Sequence, residues 1–379
     1  MSAAQFLAYN SNNIVFFKGA QHPKSQIGGS QIKKLIIIFA VTLLLCTFTL
    51  QATAADWSFY GSARVKTWSY SESAKASDTG YERTDTVWDL QGNSRIGATV
   101  KADNIGGRFE YGTAVNLRRL YGTWDFGKGV LLVGQEYTPL DFTISSQVVG
   151  SDLTLNGWGT TLSRKPMLQV EIMNFSIALV RPDTSDLDGQ AADEQVILPS
   201  LEADYTYLAD RFMVKAIAGF STYEIVDVND NKDRINRWIT GVAGTYNFGA
   251  AYVSSQFQFG QNLGTWNITA DFAGASNASP VIVNGSVKNN FGFGYGFEGG
   301  YKLNDTFKFA AGLGGVSYKV DMSGAKRDNA ISTYLNSQIN VTKNAFVVPE
   351  IGYFDNMKDG AGNSEGNIFY LGAKWQVNF

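Results

Sequence analysis

Cysteine and histidine are almost missing from this chain. Its 379 residues include one Cys, Cys46, and one His, His22, and both precede residue 50. Residues 56–379 therefore form no disulfide, and they cannot assemble the Ser–His, Cys–His or Asp–His pairs of common hydrolases. Paired carboxylates are the remaining route to hydrolysis, and no pair stands out by its spacing. We therefore expect a protein that is not an enzyme.

The chain is also poor in charge and in proline. Charged residues make up 17% of it and prolines number 7, whereas glycines number 40 and aromatics reach 13%. This balance indicates many short strands and tight turns rather than disorder. After residue 50 no apolar run approaches the ~18 residues that a membrane helix needs. If this segment of the chain meets a membrane, it must do so as a closed barrel.

The N-terminal 55 residues have a different character. Lys33 and Lys34 precede the apolar run "LIIIFAVTLLLCTFTL" and the small-residue stretch "QATAA". This layout predicts a secretory signal at 33–55, cleaved after Ala54 or Ala55, behind an extension at 1–32 that is not included in the mature protein. A membrane anchor is disfavoured because the apolar run is short for spanning. A lipoprotein modified at Cys46 is disfavoured because Leu45 stands where a small residue is expected. Without these residues, 27 basic side chains face 34 acidic ones, a net charge of −7.

Residues 56–379 alternate between short turns and longer polar connections. Seven short turns separate eight mostly longer connections, which makes sixteen strands with both termini at the short-turn end. Even strand number and this rhythm are typical of an antiparallel outer-membrane β-barrel, and a soluble β-sandwich is the alternative. The short turns are predicted at 102–107, 126–129, 172–175, 208–211, 247–250, 303–306 and 342–345, and the longer connections near 71–85, 115–118, 137–161, 182–196, 225–233, 261–285, 321–329 and 355–366.

The chain ends on the segment "YLGAKWQVNF", in which every second residue is apolar or small. Leu371, Ala373, Trp375, Val377 and Phe379 share one face of a strand with a period of two. Chain ends usually fray, but a barrel closes only if its first and last strands pair. We therefore expect residues 56–70 to pair with this terminal strand.

The stretches "GNSRIGATVKADNIGGRFEYG" and "RRLYGTWDFGKGVLLVGQEYTPLDF" resemble the general porins of Gram-negative outer membranes. The likeness is strong over 92–142 and the last ten residues, and elsewhere it lies in the rhythm of strands. It implies an all-β, sixteen-stranded transmembrane barrel, usually a trimer, in the outer membrane. It also implies contact with lipid and lipopolysaccharide, an assembly signal of Trp375, Val377 and Phe379 read by the barrel-assembly machinery, and no cofactor, metal or nucleic-acid partner.

The resemblance further implies a constriction loop at 137–161 that folds into the lumen. Its acids, Asp141 and Asp152, would face Arg95 and Arg164 on the opposite wall, and such opposed charges sort solutes by charge. Gln135, at the position where porins carry an arginine, and Glu136 after it are also expected at the constriction, although the sequence departs from the family there. In the predicted strands, alternate residues form a polar face toward the lumen. Further cations lie on these faces: Arg64, Lys66, Lys101 and Arg108.

The predicted function is a water-filled channel for passive diffusion of small hydrophilic solutes and ions. A substrate-specific porin is the main alternative, since Tyr60, Trp68 and Tyr121 share the polar parities and aromatic residues can guide sugars. A structural barrel is less favoured, because its lumen has no need of so many charges. The net charge of −7 leans weakly toward cations. The sequence does not identify the solute. The oligomeric state also stays open, because porins use the connection at 115–118 to latch subunits and it is short here.

Overall fold

The computed structural model describes residues 55–379 except 78, 142–143, 153–163, 186, 188–192, 227–229 and 267–277. The predicted extension and signal segment therefore lie outside the described residues, apart from Ala55. None of the helices among the described residues is long and apolar enough to cross a membrane. The elements are β1 Asp56–Glu72, β2 Arg83–Leu90, β3 Arg95–Ala102, β4 Ile105–Gly112, β5 Leu117–Asp125, β6 Val130–Tyr137, α1 Val149–Asp152, β7 Arg164–Ile172, β8 Phe175–Val180, β9 Asp193–Val196, β10 Ser200–Leu208, β11 Phe212–Val226, β12 Lys232–Asn247, β13 Ala251–Gln261, a 3₁₀ turn Leu263–Trp266, β14 Val281–Val283, β15 Ser286–Lys288, β16 Asn290–Lys302, β17 Phe307–Val320, β18 Asp328–Asn340, β19 Ala345–Lys358 and β20 Asn367–Asn378.

Eighteen of the described strands form one closed antiparallel sheet. The C-terminal half of β1, from Val65, pairs with β2, and its N-terminal half, up to Ser62, pairs with β3. Strands β2 and β3 are therefore one barrel strand that is interrupted at residues 91–94. In the same way β9 and β10 follow each other along β11. Counted in this way the barrel has sixteen strands, and the pairing of β1 with β20 closes it. The predicted strand number and closure are confirmed.

The two ends of the barrel differ as the sequence predicts. All seven predicted short turns join neighbouring strands, with two to four residues between strand ends. The eight longer connections lie at the other end, which we call the long-loop end. Because both termini lie at the short-turn end, the last strand can pair with the first without any crossing connection.

The barrel is apolar outside and polar inside. Outward-facing side chains such as Phe59, Leu120 and Leu168 are more than half exposed, at 75%, 54% and 52%. Inward-facing side chains, among them Glu110, Gln169 and Glu298, are instead buried against a loop that enters the lumen or against other wall residues. This polarity is the reverse of a soluble protein's and suits a wall that contacts lipid.

The wall is low on one side and high on the other. From β3 to β8 the strands have 6 to 9 residues, whereas β16 to β19 have 13 or 14. Eight residues at ~3.3 Å each, tilted by ~40°, rise only about 20 Å. We call the β3–β8 side the low wall and the β16–β19 side the high wall.

At the long-loop end, the connection between β13 and β16 folds inward, as does the constriction loop after β6. The β14–β15 hairpin packs Ile282 and Val287 against Tyr223, Ile225 and Ile235. Tyr223 and Ile225 share their strand face with Gly219, against which the constriction loop lies. The hairpin therefore lies on the inner side of β11 and β12 and narrows the opening of the barrel at the long-loop end. The sequence predicted only a long polar connection here.

Candidate functional site: the lumen constriction

The connection after β6 turns into the barrel and follows its inner wall. Leu140 is 1% exposed and lies against Gly219 of β11, where a side chain would crowd it. Farther along, Ser145 Oγ lies 2.8 Å from Tyr334 Oη of β18. Val148 and Val149 are then buried beside β19. The described residues of this connection thus enter the lumen as predicted, and Ser145 to Val149 lie against the high wall.

Glu350 of β19 holds the tip of this loop. Its carboxylate accepts hydrogen bonds from the backbone N–H groups of Val148 and Val149, at 2.8 Å and 3.0 Å. Asn336 Nδ2 and Tyr370 Oη donate to it from the neighbouring strands, at 2.9 Å and 3.1 Å. Backbone groups that leave a strand ladder need such partners when they are buried. The carboxylate therefore fixes the position of the loop tip.

Glu298 of β16 has the same role slightly earlier along the loop. It accepts a 2.5 Å hydrogen bond from the backbone N–H of Ser146 and hydrogen bonds from the hydroxyls of Tyr252 and Tyr334. Glu298 is 3% exposed. Its negative charge is thus directed at the loop and the tyrosines, and solutes in the lumen have little access to it.

Asp152, at the end of α1, is anchored rather than free. It pairs with Arg64 of β1 and, at 2.9 Å, with Lys374 of β20. Gln91 and Asn93, in the break between β2 and β3, donate to it at 3.1 Å and 2.8 Å. Burial by itself opposes ionisation, but the two cations hold the pKa of Asp152 below its ordinary value. Asp152 was expected to face Arg95 and Arg164 on the opposite wall, and its cation partners are Arg64 and Lys374 instead.

A cluster of arginines surrounds Glu110 on the low wall. The Glu110 carboxylate lies 2.7 Å from Arg118, 3.3 Å from Arg108 and 3.7 Å from Arg95, and it accepts a 2.9 Å hydrogen bond from Tyr60. Glu110 is fully buried, at 0% exposure. One carboxylate balances several guanidinium groups, so the cluster keeps an excess of positive charge.

The cluster extends to Arg119 and Arg164. Arg119 lies 3.1 Å from Glu136, and its guanidinium stacks over the ring of Tyr137 at 4.8 Å. Arg164 stacks over the same ring at 5.1 Å. Tyr137 is thereby in contact with two cations, an arrangement that a ring quadrupole stabilises. Arg164 and Glu136 thus lie beside the Glu110 cluster.

Gln135 does not line the constriction. It pairs opposite Leu120, whose side chain is on the outer face, and its amide donates to the carbonyls of Leu117 and Arg118 at 3.0 Å and 3.2 Å. Residues opposite each other in a ladder point to the same side of the sheet. The structure therefore overturns this prediction: the position where porins carry an arginine is turned outward here.

The other predicted lumen cations lie on inward-facing positions. Arg108 and Arg64 belong to the contacts above. Lys66 pairs opposite Lys374, and Lys101 pairs opposite Asp56 near the short-turn end. All four positions alternate with outward apolar residues such as Phe59.

Asp141 lies at the start of the loop, beside the low wall. Lys215 Nζ donates to its backbone carbonyl at 2.7 Å, and its Oδ1 is buried without a hydrogen-bond partner among the described residues. Burial raises the pKa of the Asp141 carboxyl to about 7, although Lys215, Arg119 and Arg164 oppose the rise. The carboxyl is thus partly neutral near pH 7.

Between the loop tip and the short-turn end lies a cavity of about 580 Å³. Among the described residues, five cations and one acid line it: Arg64, Arg95, Lys302, Lys308, Lys374 and Asp152. Glu298 and Glu350 do not line it, since the loop covers them. The described lining of the cavity below the constriction is therefore basic.

The C-terminal residues complete the barrel seam. The backbone N–H of Gly61 donates to the carbonyl of Phe379 at 2.7 Å, and Phe379 N–H donates back at 3.1 Å. The Phe379 ring lies on Gly61, where a Cβ would collide with it, so glycine makes room for the terminal ring. Trp375 and Val377 are each 51% exposed on the same outer face. All three residues of the predicted assembly signal are thus displayed outward.

Sequence reasoning missed the carboxylates that organise this site. Glu110, Glu298 and Glu350 are all on inward parities, but nothing local distinguishes them from other polar lumen residues. Arg118 and Arg119 were also missed, because "NLRRLYG" resembles the end of a connection. Their signal was the adjacent pair of arginines at the start of β5. A break in strand register after Glu110 allows Arg118 as well as Arg119 to reach this carboxylate.

Solved structures with this architecture include outer-membrane channels and porins. The outer-membrane channel DcaP of Acinetobacter baumannii matches with a TM-score of 0.67 at 16% identity, over 87% of this chain and 99% of its own. An anion-selective porin from Comamonas acidovorans matches with a TM-score of 0.58 at 11% identity, over 86% and 100%. The trimer form of OmpT, an outer-membrane protein of Vibrio cholerae, matches with a TM-score of 0.56 at 16% identity, over 86% and 100%.

These likenesses establish the fold. No protein-family model matches the chain, and no curated protein is similar enough in sequence to count as a relative. The chain thus has the fold of the Gram-negative outer-membrane porins, as its resemblance to them predicted.

Proposed function

We propose that this protein is an outer-membrane porin, a water-filled channel for passive diffusion of small hydrophilic solutes and ions. The observation that carries the proposal is the constriction loop. It enters the lumen and is held on the high wall by Glu298 and Glu350, beside a cavity of about 580 Å³. A loop held in this way narrows a sixteen-stranded barrel without filling it.

The low wall supports a homotrimer. Strands that rise about 20 Å do not cover the ~25 Å apolar band of a membrane barrel. Two further copies packed against this wall would shield its short strands from the lipid headgroups. The OmpT match is a trimer form. The outer face of the high wall would contact lipid and lipopolysaccharide, and Phe379 would be read by the barrel-assembly machinery.

A substrate-specific porin is the second candidate. Tyr60 and Tyr121, two of the aromatic residues that the sequence placed in the lumen, lie near Arg108. Tyr60 is hydrogen-bonded to Glu110 and Arg108, and it lies 5.0 Å below the Arg108 guanidinium. Its ring is therefore occupied by the cation cluster, which favours the general channel over an aromatic path for sugars.

Hydrolysis is not proposed for this barrel. Residues 56–379 carry no His or Cys, so the usual proton-shuttling bases are missing from the sequence. The carboxylates of the site are held by loop backbone, tyrosines or arginines, which leaves them poorly placed to activate water.

The test is conductance through a planar bilayer that contains purified residues 56–379. Discrete open steps, in threes for a trimer, are expected. Gln338→Trp places a large ring in the cavity and should lower the conductance, whereas Val253→Trp on the outer face should leave it unchanged. A folded, heat-modifiable barrel without steps would contradict the proposal.

A further inference from the structure

Two pairs of lysines oppose each other across neighbouring strands inside the barrel. Lys66 of β1 lies opposite Lys374 of β20, and Lys302 of β16 lies opposite Lys308 of β17. Like charges in directly opposed positions destabilise a sheet. Among the residues that the structure describes, no carboxylate lies within 4.0 Å of the ammonium groups of Lys66 and Lys308. Lys302 instead pairs with Asp305 at 2.6 Å, and Lys374 pairs with Asp152 at 2.9 Å. Each pair thus leaves one lysine, Lys66 or Lys308, uncompensated on an inward-facing position.

Four acids that the structure describes inside the barrel are withdrawn from solutes. Glu298 and Glu350 are at most 4% exposed beneath the constriction loop. Glu110 is enclosed by arginines, and Asp152 is neutralised by Arg64 and Lys374. The described surface of the cavity below the loop tip is therefore basic, even though the chain as a whole is acidic.

We propose that the channel prefers small anions to cations. The proposal rests on the porin function proposed above and adds its solute class. Charges of one sign along a narrow low-dielectric passage raise the local concentration of counter-ions and exclude co-ions. The path runs from the arginine cluster around Glu110, past the cavity below the loop tip, to the lysine pair at the short-turn end. Chain net charge is a poor guide, because surface-loop charge is screened within ~10 Å at 0.1 M salt.

The experiment measures the zero-current potential across a bilayer with a KCl gradient centred near 0.1 M. The wild-type potential should lie toward the chloride equilibrium potential. The double variant Lys302→Gln/Lys308→Gln should lower the chloride-to-potassium permeability ratio by about threefold, which is the effect of two charges ~10 Å from the path after screening. The matched control is Lys128→Gln/Lys343→Gln, which removes two exposed turn lysines at the same end.

Each outcome decides between the two proposals. A wild-type potential toward potassium, or equal effects of the two double variants, would overturn the anion preference while leaving the channel intact. A lack of open steps from folded protein would instead overturn the channel, and the anion preference with it. A heat-shift gel checks that both double variants fold.

Discussion

The attachment of the loop tip to Glu350 gives the sharpest prediction. Glu350→Ala removes a carboxylate that accepts two backbone hydrogen bonds from the loop, at 2.8 Å and 3.0 Å. Hydrogen bonds to charged groups contribute about 1.5–3 kcal/mol each, so the tip loses about 3–6 kcal/mol of attachment. At about 1.4 kcal/mol per factor of ten, the tip should leave the wall at least ~100 times more often.

A single cysteine reports this opening directly. Residues 56–379 contain no cysteine, so Val149→Cys introduces the one thiol of the mature chain. Val149 is 0% exposed, and a water-soluble maleimide should reach it only when the tip leaves the wall. We expect labelling in the Glu350→Ala background to be about 100-fold faster than in the Val149→Cys single variant. The opening rate of the loop sets the upper limit of this labelling rate. The single-channel current should also become noisier.

Two further variants serve as controls for the labelling experiment. Glu171→Ala removes a carboxylate near the short-turn end that accepts a hydrogen bond from Gln169 rather than from the loop, and it should leave labelling unchanged. Glu350→Gln keeps the side-chain volume and one acceptor, so its rate should fall in between. If Glu350→Ala is folded and labels at the wild-type rate within twofold, Glu350 does not hold the tip.

Four further predictions concern the seam and the lumen charges. Deleting Phe379 removes two hydrogen bonds of the closing seam and should slow membrane insertion, which a time course of heat-resistant barrel measures; normal insertion would remove its assembly role. Asp152→Asn frees two cations and should raise the chloride preference, and a lower preference would mean that the loop had moved instead. Arg95→Glu or Arg164→Glu should shift selectivity toward cations, and a variant with unchanged selectivity would take its residue out of the constriction. Because burial raises the pKa of Asp141 to about 7, its carboxyl is neutral below that pH and charged above it. Chloride preference should therefore fall from pH 6 to pH 8, and Asp141→Asn should abolish that change; a change that persists in the variant assigns it to another group.

Local pattern was enough to predict the barrel itself. Strand faces repeat every two residues and short turns carry their own residue types, so strand number, closure and the outward Phe379 could be predicted without contacts. The constriction loop was predicted from the resemblance to porins, which places it at the long connection after the fifth strand. These features depend on neighbours in sequence, which a single chain displays.

Only the tertiary structure decided how the lumen is charged. Gln135 was assigned inward by its likeness to a porin arginine, but the register with β5 turns it outward. Asp152 was expected to face Arg95 and Arg164, yet it pairs with Arg64 and Lys374. The break between β2 and β3 also brings Gln91 and Asn93 to it. Glu350 meets loop residues some 200 positions away. Parity predicts which side of a wall a residue faces, but which charges remain unpaired depends on register and on contacts between distant segments.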